Sequence, residues 1–315
     1  MTIGVFVKEK YKKAGIGRFL ESLGVPFLSN RSDQIEFIYF ADLSEHNDKE
    51  YDVAIYGGCI PEDLEKSTVS KNKFYTFCSP FGQADLSSQE FYSSETALLV
   101  DLLNRLKMGR IKGVLTQSKS LASRFGFIYI PPVKKLDDKH VNFTFDRKYY
   151  SFIGNNFRKH RNVVNQLAAI SMLYPKEPII VSNADAYKYY AQIFNCQFAQ
   201  QSIEDDNEYM LAISQHRLAF QCSFSEAFSY IAYEYAIQGV PCLCGPTIDW
   251  YPIKACKVYN PDSWSEIYSK AQFLLDDQSR YRDISYELAE FALSMAKKNV
   301  TWLAEVVNEN FIKLS

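Results

Sequence analysis

The stretch Ser225–Pro246 reads SEAFSYIAYEYAIQGVPCLCGP. Upstream, LAFQCS (218–223) is a short apolar run with the look of a buried strand. FSEAF is then the turn out of that strand. SYIAYEYAIQG reads as a helix closed by Gly239, the residue type that ends helices in the left-handed conformation. Pro241 starts the next strand. The unit is strand, turn, helix, strand, which is the building block of a parallel sheet. It carries two acids, Glu226 at the turn and Glu234 on the second helical turn. At about 1.5 Å rise per residue, Glu234 lies about 7 Å along the helix from Ser229. The backbone N–H groups of Ala227, Phe228, Ser229 and Tyr230 are free donors at a helix start, and they form a seat for phosphate. A plainer reading has Glu226 as a helix cap and Glu234 as a solvated acid. The apolar flanks of Glu234 (IAY before, YAI after) argue against solvation.

The same alternation extends outward on both sides. In the first half, IGVFV (3–7), IEFIYFA (35–41), YDVAIYGG (51–58), KFYTFC (73–78), GVLTQS (113–118) and IYIPPV read as strands. GRFLESLG (17–24), ETALLVDLLNRL (95–106) and KSLASRFG read as helices between them. Residues 133–148, VKKLDDKHVNFTFDRK, are polar and charged and read as a linker. The alternation restarts with strands YYSFIG (149–154) and EPIIVSN (177–183), helices NVVNQLAAISML (162–173), AYKYYAQIF (186–194) and NEYMLAISQ (207–215), and the opening unit. KVYN (257–260) reads as a last strand, and the chain is helical from 262. Strands alternating with helices predict parallel sheets covered on both faces. The expected architecture is α/β. A Rossmann-like acceptor domain over 1–140 and a Rossmann-like donor domain over 149–290 face a cleft. A C-terminal helix over 291–315 packs back on the first domain.

Composition excludes several classes. The chain has 315 residues with a net charge of -2. No global basic field therefore advertises nucleic acid or a membrane surface. The seven cysteines have no metal spacing and read as reduced, buried thiols. No run approaches the ~20 apolar residues of a membrane span, and MTIGVFVKEK lacks a signal peptide's apolar stretch. A cytoplasmic protein with no transmembrane segment is expected.

Ligands of open parallel sheets bind beyond the carboxyl ends of the strands. Two further loops there are candidates. KEKYKKAGIGRF carries Lys8, Lys10, Lys12 and Lys13, then Gly15 and Gly17 at a helix start, where backbone can approach an anion. It reads either as a tight turn beside solvated lysines or as a loop for a negatively charged partner. GNNFRKHR (154–161) carries Arg158, Lys159, His160 and Arg161, which could neutralise a diphosphate or form a solvated charge run.

CSFSEAFSYIAYEYAIQGVP resembles the E-x7-E segment of retaining glycosyltransferases with the GT-B fold, the family 4-like group. Glu226, Phe228, Glu234, Ala236, Gly239 and Pro241 stand in register with it. QSKSLASRFGFIYIPPV (117–133), SFIGNNFRKHRNVVNQLAAI (151–170) and AGIGRFLESLG resemble further segments of that family in its chain order. The resemblance implies an enzyme moving a sugar from a nucleotide-diphosphate sugar to a hydroxyl, with retention and without a metal. Glu226 would contact hydroxyls of the donor sugar. The backbone of Ala227, Phe228, Ser229 and Tyr230 would hold the diphosphate, and Glu234 the ribose. A basic residue after Gly154 would neutralise the leaving group, Arg161 first and Lys159 next, with Asn155 and Arg158 in the same loop. Gly15 and Gly17 would lie near the diphosphate and acceptor. No cofactor is implied, the nucleotide sugar being a substrate.

The chain departs from the family pattern at four places. Ala227 and Ser229 replace glycines, and Asn155 stands where an Arg is common. GPTIDWYP replaces a glycine-rich segment, and the N-terminal domain has no clear counterpart of a histidine often found there. The chain carries no Asp-x-Asp, the usual diphosphate-metal ligand pair of the alternative fold. The lysines of 8–13 suggest an anionic acceptor: a glycan, a lipid-linked sugar or modified DNA. The competing functions are a phage-type glycosyltransferase acting on hydroxymethyl-pyrimidines in DNA, a non-catalytic binding protein, and a nucleotide-sugar epimerase or phosphorylase of the same architecture.

Overall fold

A computed structural model describes residues 2–12, 19–21, 23, 34–58, 64–65, 67–79, 89–132, 144–152, 159–201 and 205–310. The chain divides into two compact units. The first comprises residues 1–80, 88–135 and 296–315, and the second comprises 81–87 and 136–295.

The first unit holds a six-stranded sheet of β1 (Thr2–Lys8), β2 (Gln34–Phe40), β3 (Val53–Gly57), β4 (Lys73–Thr76), β5 (Gly113–Thr116) and β6 (Ile128–Tyr129). Every pairing is parallel, and the order is β2-β1-β3-β4-β5-β6. Side chains alternate across each strand. Phe6, Ala54, Tyr56, Tyr75 and Val114 pack on one face with Leu99 and Leu102 of α1 (Gln89–Lys107) and Leu121 of α2 (Lys119–Phe125). Ile3, Val5, Val7, Val53, Ile55, Phe74 and Leu115 pack on the other, with Leu303 and Val306. Burial on both faces explains why these strands read as continuous apolar runs.

The second unit holds β7 (Tyr149–Phe152), α3 (Val163–Ser171), β8 (Ile179–Val181), α4 (Lys188–Phe194), β9 (Phe198–Gln200), α5 (Asp206–Ser214), β10 (His216–Gln221), α6 (Tyr230–Ile237) and β11 (Cys242–Cys244). Helices α7 (Trp264–Leu275) and α8 (Gln278–Asn310) follow, with α8 running unbroken through the boundary between the units. Its sheet is also all parallel, in the order β11-β10-β7-β8-β9. The α/β architecture with parallel sheets and C-terminal helices agrees with the sequence expectation. Two details differ. Residues 257–260 form no strand, because only Lys257 bridges, to Cys244. The edge strand β9 lacks an apolar run, its residues being only half-buried or exposed, so periodicity does not signal it.

The order of the second sheet positions the site. The chain runs β7, β8, β9 outward on one side, then returns to place β10 and β11 on the other side of β7. The order therefore reverses between β7 and β10, and loops leaving two such neighbours go to opposite faces. That switch point is where open α/β sheets take ligands.

Candidate active site

Two turns meet beyond the carboxyl ends of β7 and β10. The first is the 3-10 turn Lys159–Arg161 ahead of α3. The second is 222–229 ahead of α6. The Arg161 guanidinium donates from Nη1 to Glu226 Oε1, forming an ion pair between residues 65 apart in sequence. The pair is largely shielded, with the side chains 25% and 11% exposed respectively. Burial pushes the Glu226 carboxyl above its ordinary value, and the Arg161 charge opposes that rise. Desolvation outweighs pairing, so this carboxylate is held in an electrostatically costly place.

The turn around Glu226 is braced by the segment after β11. The Glu226 N–H donates to Thr247 Oγ1 at 3.0 Å. The Trp250 indole N–H donates to the Phe228 carbonyl at 2.6 Å, and its ring stacks on Phe228 with centroids 5.0 Å apart. Tyr233 packs edge-on against both rings. Gly245 allows this approach. It donates to the Gln221 carbonyl at 3.1 Å, and a Cβ there would sit 2.1 Å from the Ser223 carbonyl oxygen. Ser223 lies between Gln221 and Glu226, so Gly245 closes the base of the turn.

Ser229 is the N-cap of α6. Its hydroxyl accepts from the Ala232 N–H at 3.2 Å and donates to Gln221 Oε1. Its backbone is left-handed, with φ 69 and ψ 83. That region is costly for a residue with a Cβ and free for glycine. Serine holds this turn by its two hydroxyl bonds. Ala227 makes no such demand: its φ is not positive. Among the described residues, no acceptor meets the backbone N–H of Ala227, Phe228 or Ser229. Three successive donors thus stand at the start of α6, where the helix dipole favours an anion.

Neither plain reading of the two acids survives. Ser229, not Glu226, caps the helix. Glu234 is 1% exposed, because residues 232–237 of α6 are all buried and the helix has no solvent face. The far end of α6 closes as expected: Gly239 has φ 61 and its N–H donates to the Ala236 carbonyl at 2.9 Å. The last carbonyls are taken by Arg147, a buried residue of the stretch read as a linker, which donates to Gln238 and Gly239 at 2.8 Å each.

Of the other predicted residues, Tyr230 opens α6 and packs edge-on against Phe228. Lys159 lies on the 3-10 turn with Arg161. Gly15, Gly17, Gly154, Asn155 and Arg158 lie outside the described residues. Of the lysines after β1, Lys12 sits over the Tyr39 ring at 4.4 Å. Sequence reasoning missed Asn162, Gln166, Thr247 and Trp250. The first two are polar residues in an apolar helical stretch, a signal of a buried hydrogen-bond role. The last two stood only as a departure from a pattern.

No protein-family model matches the chain, and no curated protein matches its sequence. Solved structures do. Sucrose-phosphate synthase from Thermosynechococcus elongatus superposes with a TM-score of 0.76 at 12% identity, covering 99% of this chain and 100% of that one. HepE from Anabaena, in complex with UDP and glucose, superposes at 0.70 and 12% identity over 99% and 100% of the two chains. A glycosyltransferase from Rickettsia africae gives 0.60 at 11% identity over 97% and 98%. At these identities the likeness establishes the fold, which is that of the GT-B glycosyltransferases.

Proposed function

We propose that the chain transfers a sugar from a nucleoside-diphosphate sugar to a hydroxyl acceptor, with retention and without a metal holding the diphosphate. The observation that carries the reading is the Arg161–Glu226 pair at the sheet's switch point, beside three N–H donors at a helix start that find no acceptor among the described residues. In the proposed roles, the diphosphate sits on the N–H groups of Ala227, Phe228 and Ser229. Arg161, with Lys159 next to it, neutralises the charge that builds on the leaving phosphate as the sugar C1–O bond breaks. Glu226 accepts hydrogen bonds from hydroxyls of the donor sugar. Glu234 takes the ribose. The departing phosphate oxygen, on the same face as the incoming hydroxyl, accepts the acceptor's proton. Gly15 and Gly17 would serve the diphosphate and the acceptor, and Gly154, Asn155 and Arg158 the diphosphate. The fold likeness to HepE in complex with UDP and glucose and with UDP-glucose makes UDP-glucose the first donor to try.

Cations and helix donors aimed at developing charge typically supply 10²–10³-fold in rate each. Arg161→Ala and Glu226→Ala should therefore each lower turnover by at least about a hundredfold while the protein keeps its cooperative unfolding. The assay is product formation with UDP-, GDP- and ADP-sugars, with the anomeric configuration read by NMR. Full transfer by Glu226→Ala, or a product of inverted configuration, overturns the reading.

A further inference from the structure

The turn that carries Arg161 is fastened to the exit of β10 at three successive residues. The His160 carbonyl accepts from the Phe224 N–H at 2.8 Å. The Gln166 amide donates from Nε2 to the Arg161 carbonyl at 2.7 Å and the Asn162 carbonyl at 3.2 Å. Its Oε1 accepts from the Cys222 N–H at 2.7 Å. Asn162 Nδ2 returns a bond to the Cys222 carbonyl at 3.1 Å and another to the Pro261 carbonyl. Asn162 itself is left-handed at φ 53, a conformation asparagine tolerates. Gln166 is fully buried, so water does not replace a lost arm. Only a primary amide of this length presents two donors to one loop and an acceptor to the other.

We infer that Gln166 is a positioning residue for transfer. Its amide holds the backbone that carries Arg161 at a set distance from the strand exit that carries Glu226. The inference rests on the proposal that these two side chains act on the donor. The mechanical need is clear from the topology. β7 and β10 are adjacent where chain order reverses, so the helices that follow them go to opposite faces of the sheet, and the two turns are held together by hydrogen bonds. Gln166 reaches from α3, behind the first loop, to Cys222, four residues before Glu226. Chemistry that needs a cation and a carboxylate in register is sensitive to displacements near 1 Å, which can cost about a hundredfold in rate.

Three variants test this. Gln166→Leu removes both arms. Gln166→Glu keeps the acceptor for Cys222 but sets a carboxylate against the Arg161 carbonyl. Arg161→Gln is the benchmark. The first readout needs no substrate: in protein labelled with carboxyl-13C glutamate, the Glu226 signal is assigned by its loss in Glu226→Gln and titrated. With Arg161 displaced, the Glu226 midpoint rises, and the rise in the Gln166 variants approaches that in Arg161→Gln. The second readout is UDP release from UDP-glucose, where kcat falls about a hundredfold and KM changes little. A merely structural amide would lower the melting temperature and leave the Glu226 midpoint of the folded variant unmoved. An unmoved midpoint in either folded variant, or in Arg161→Gln, overturns the inference, as does failure of both Gln166 variants to fold. If the wild type releases no UDP, the proposed donor reaction fails for this sugar, while the carboxyl titration still decides the role of Gln166.

Discussion

Ser229 offers a test of the left-handed turn that seats the proposed phosphate. Compare Ser229→Ala with Ser229→Gly. Both remove the hydroxyl that caps Ala232 and bonds Gln221. The cap contributes about 1 kcal/mol and the second hydrogen bond about 1 kcal/mol, so both variants lose roughly 2 kcal/mol from these contacts. They differ in the backbone. Alanine keeps a Cβ at φ 69 and ψ 83, a strain of about 1–2 kcal/mol for an L-residue. Glycine relieves that strain but gives the unfolded chain about 0.5–1 kcal/mol of extra freedom. The net expectation is that Ser229→Gly is more stable than Ser229→Ala by about 0.5–1 kcal/mol, the reverse of the order inside an ordinary helix. For a unit of this size, that is a melting difference of about 1–4 °C. Denaturant titration and thermal unfolding of the two variants side by side read the gap directly. Equal stability, or a more stable alanine variant, would refute a left-handed residue at 229.

Four further outcomes follow from the structure. Glu226 has a raised folded pKa, so stability tied to its proton is fully present in acid and is lost as pH rises through the folded value. Glu226→Gln should match the wild type in acid and exceed it at pH 7; a variant less stable at neutral pH contradicts this. His216, buried against the Tyr235 hydroxyl at 2.6 Å, has a pKa pushed down to about 3 by burial. Its stabilising neutral form is present above about 6.5 and is lost as pH falls toward 3, so His216→Gln should flatten the acid limb of the stability profile. Gly245→Ala forces a Cβ to 2.1 Å from a carbonyl oxygen, and a loss of more than about 2 kcal/mol is expected; Trp250→Phe, which keeps the stack but not the bond to Phe228, should cost about 1 kcal/mol.

Much of the fold is legible in the chain because its signals are local. Apolar runs of strand length bounded by turns mark β1, β3, β7 and β10. Ser118, Asp205 and Ser263 cap the helices that follow them. Gly239 marks where α6 stops. The strand β9 was not legible, since its half-buried surface leaves no apolar pattern. The role of Arg147 is not legible either, because its guanidinium looks like any solvated charge until the carbonyls at the end of α6 are placed against it.

The sequence by itself determined the alternation of strands and helices and the strand–turn–helix unit around Glu226, since each depends on patterns within a few residues. The tertiary structure decided the site. Nothing local says that β10 returns to lie beside β7, and it is that adjacency that brings Arg161 to Glu226 across 65 residues. Nor does local pattern say that Glu234 is buried, that Ser229 is left-handed, or that Thr247 and Trp250 hold the turn from beneath. Such bonds join segments that meet only when the sheet closes, and their residue types are as common on surfaces as in sites.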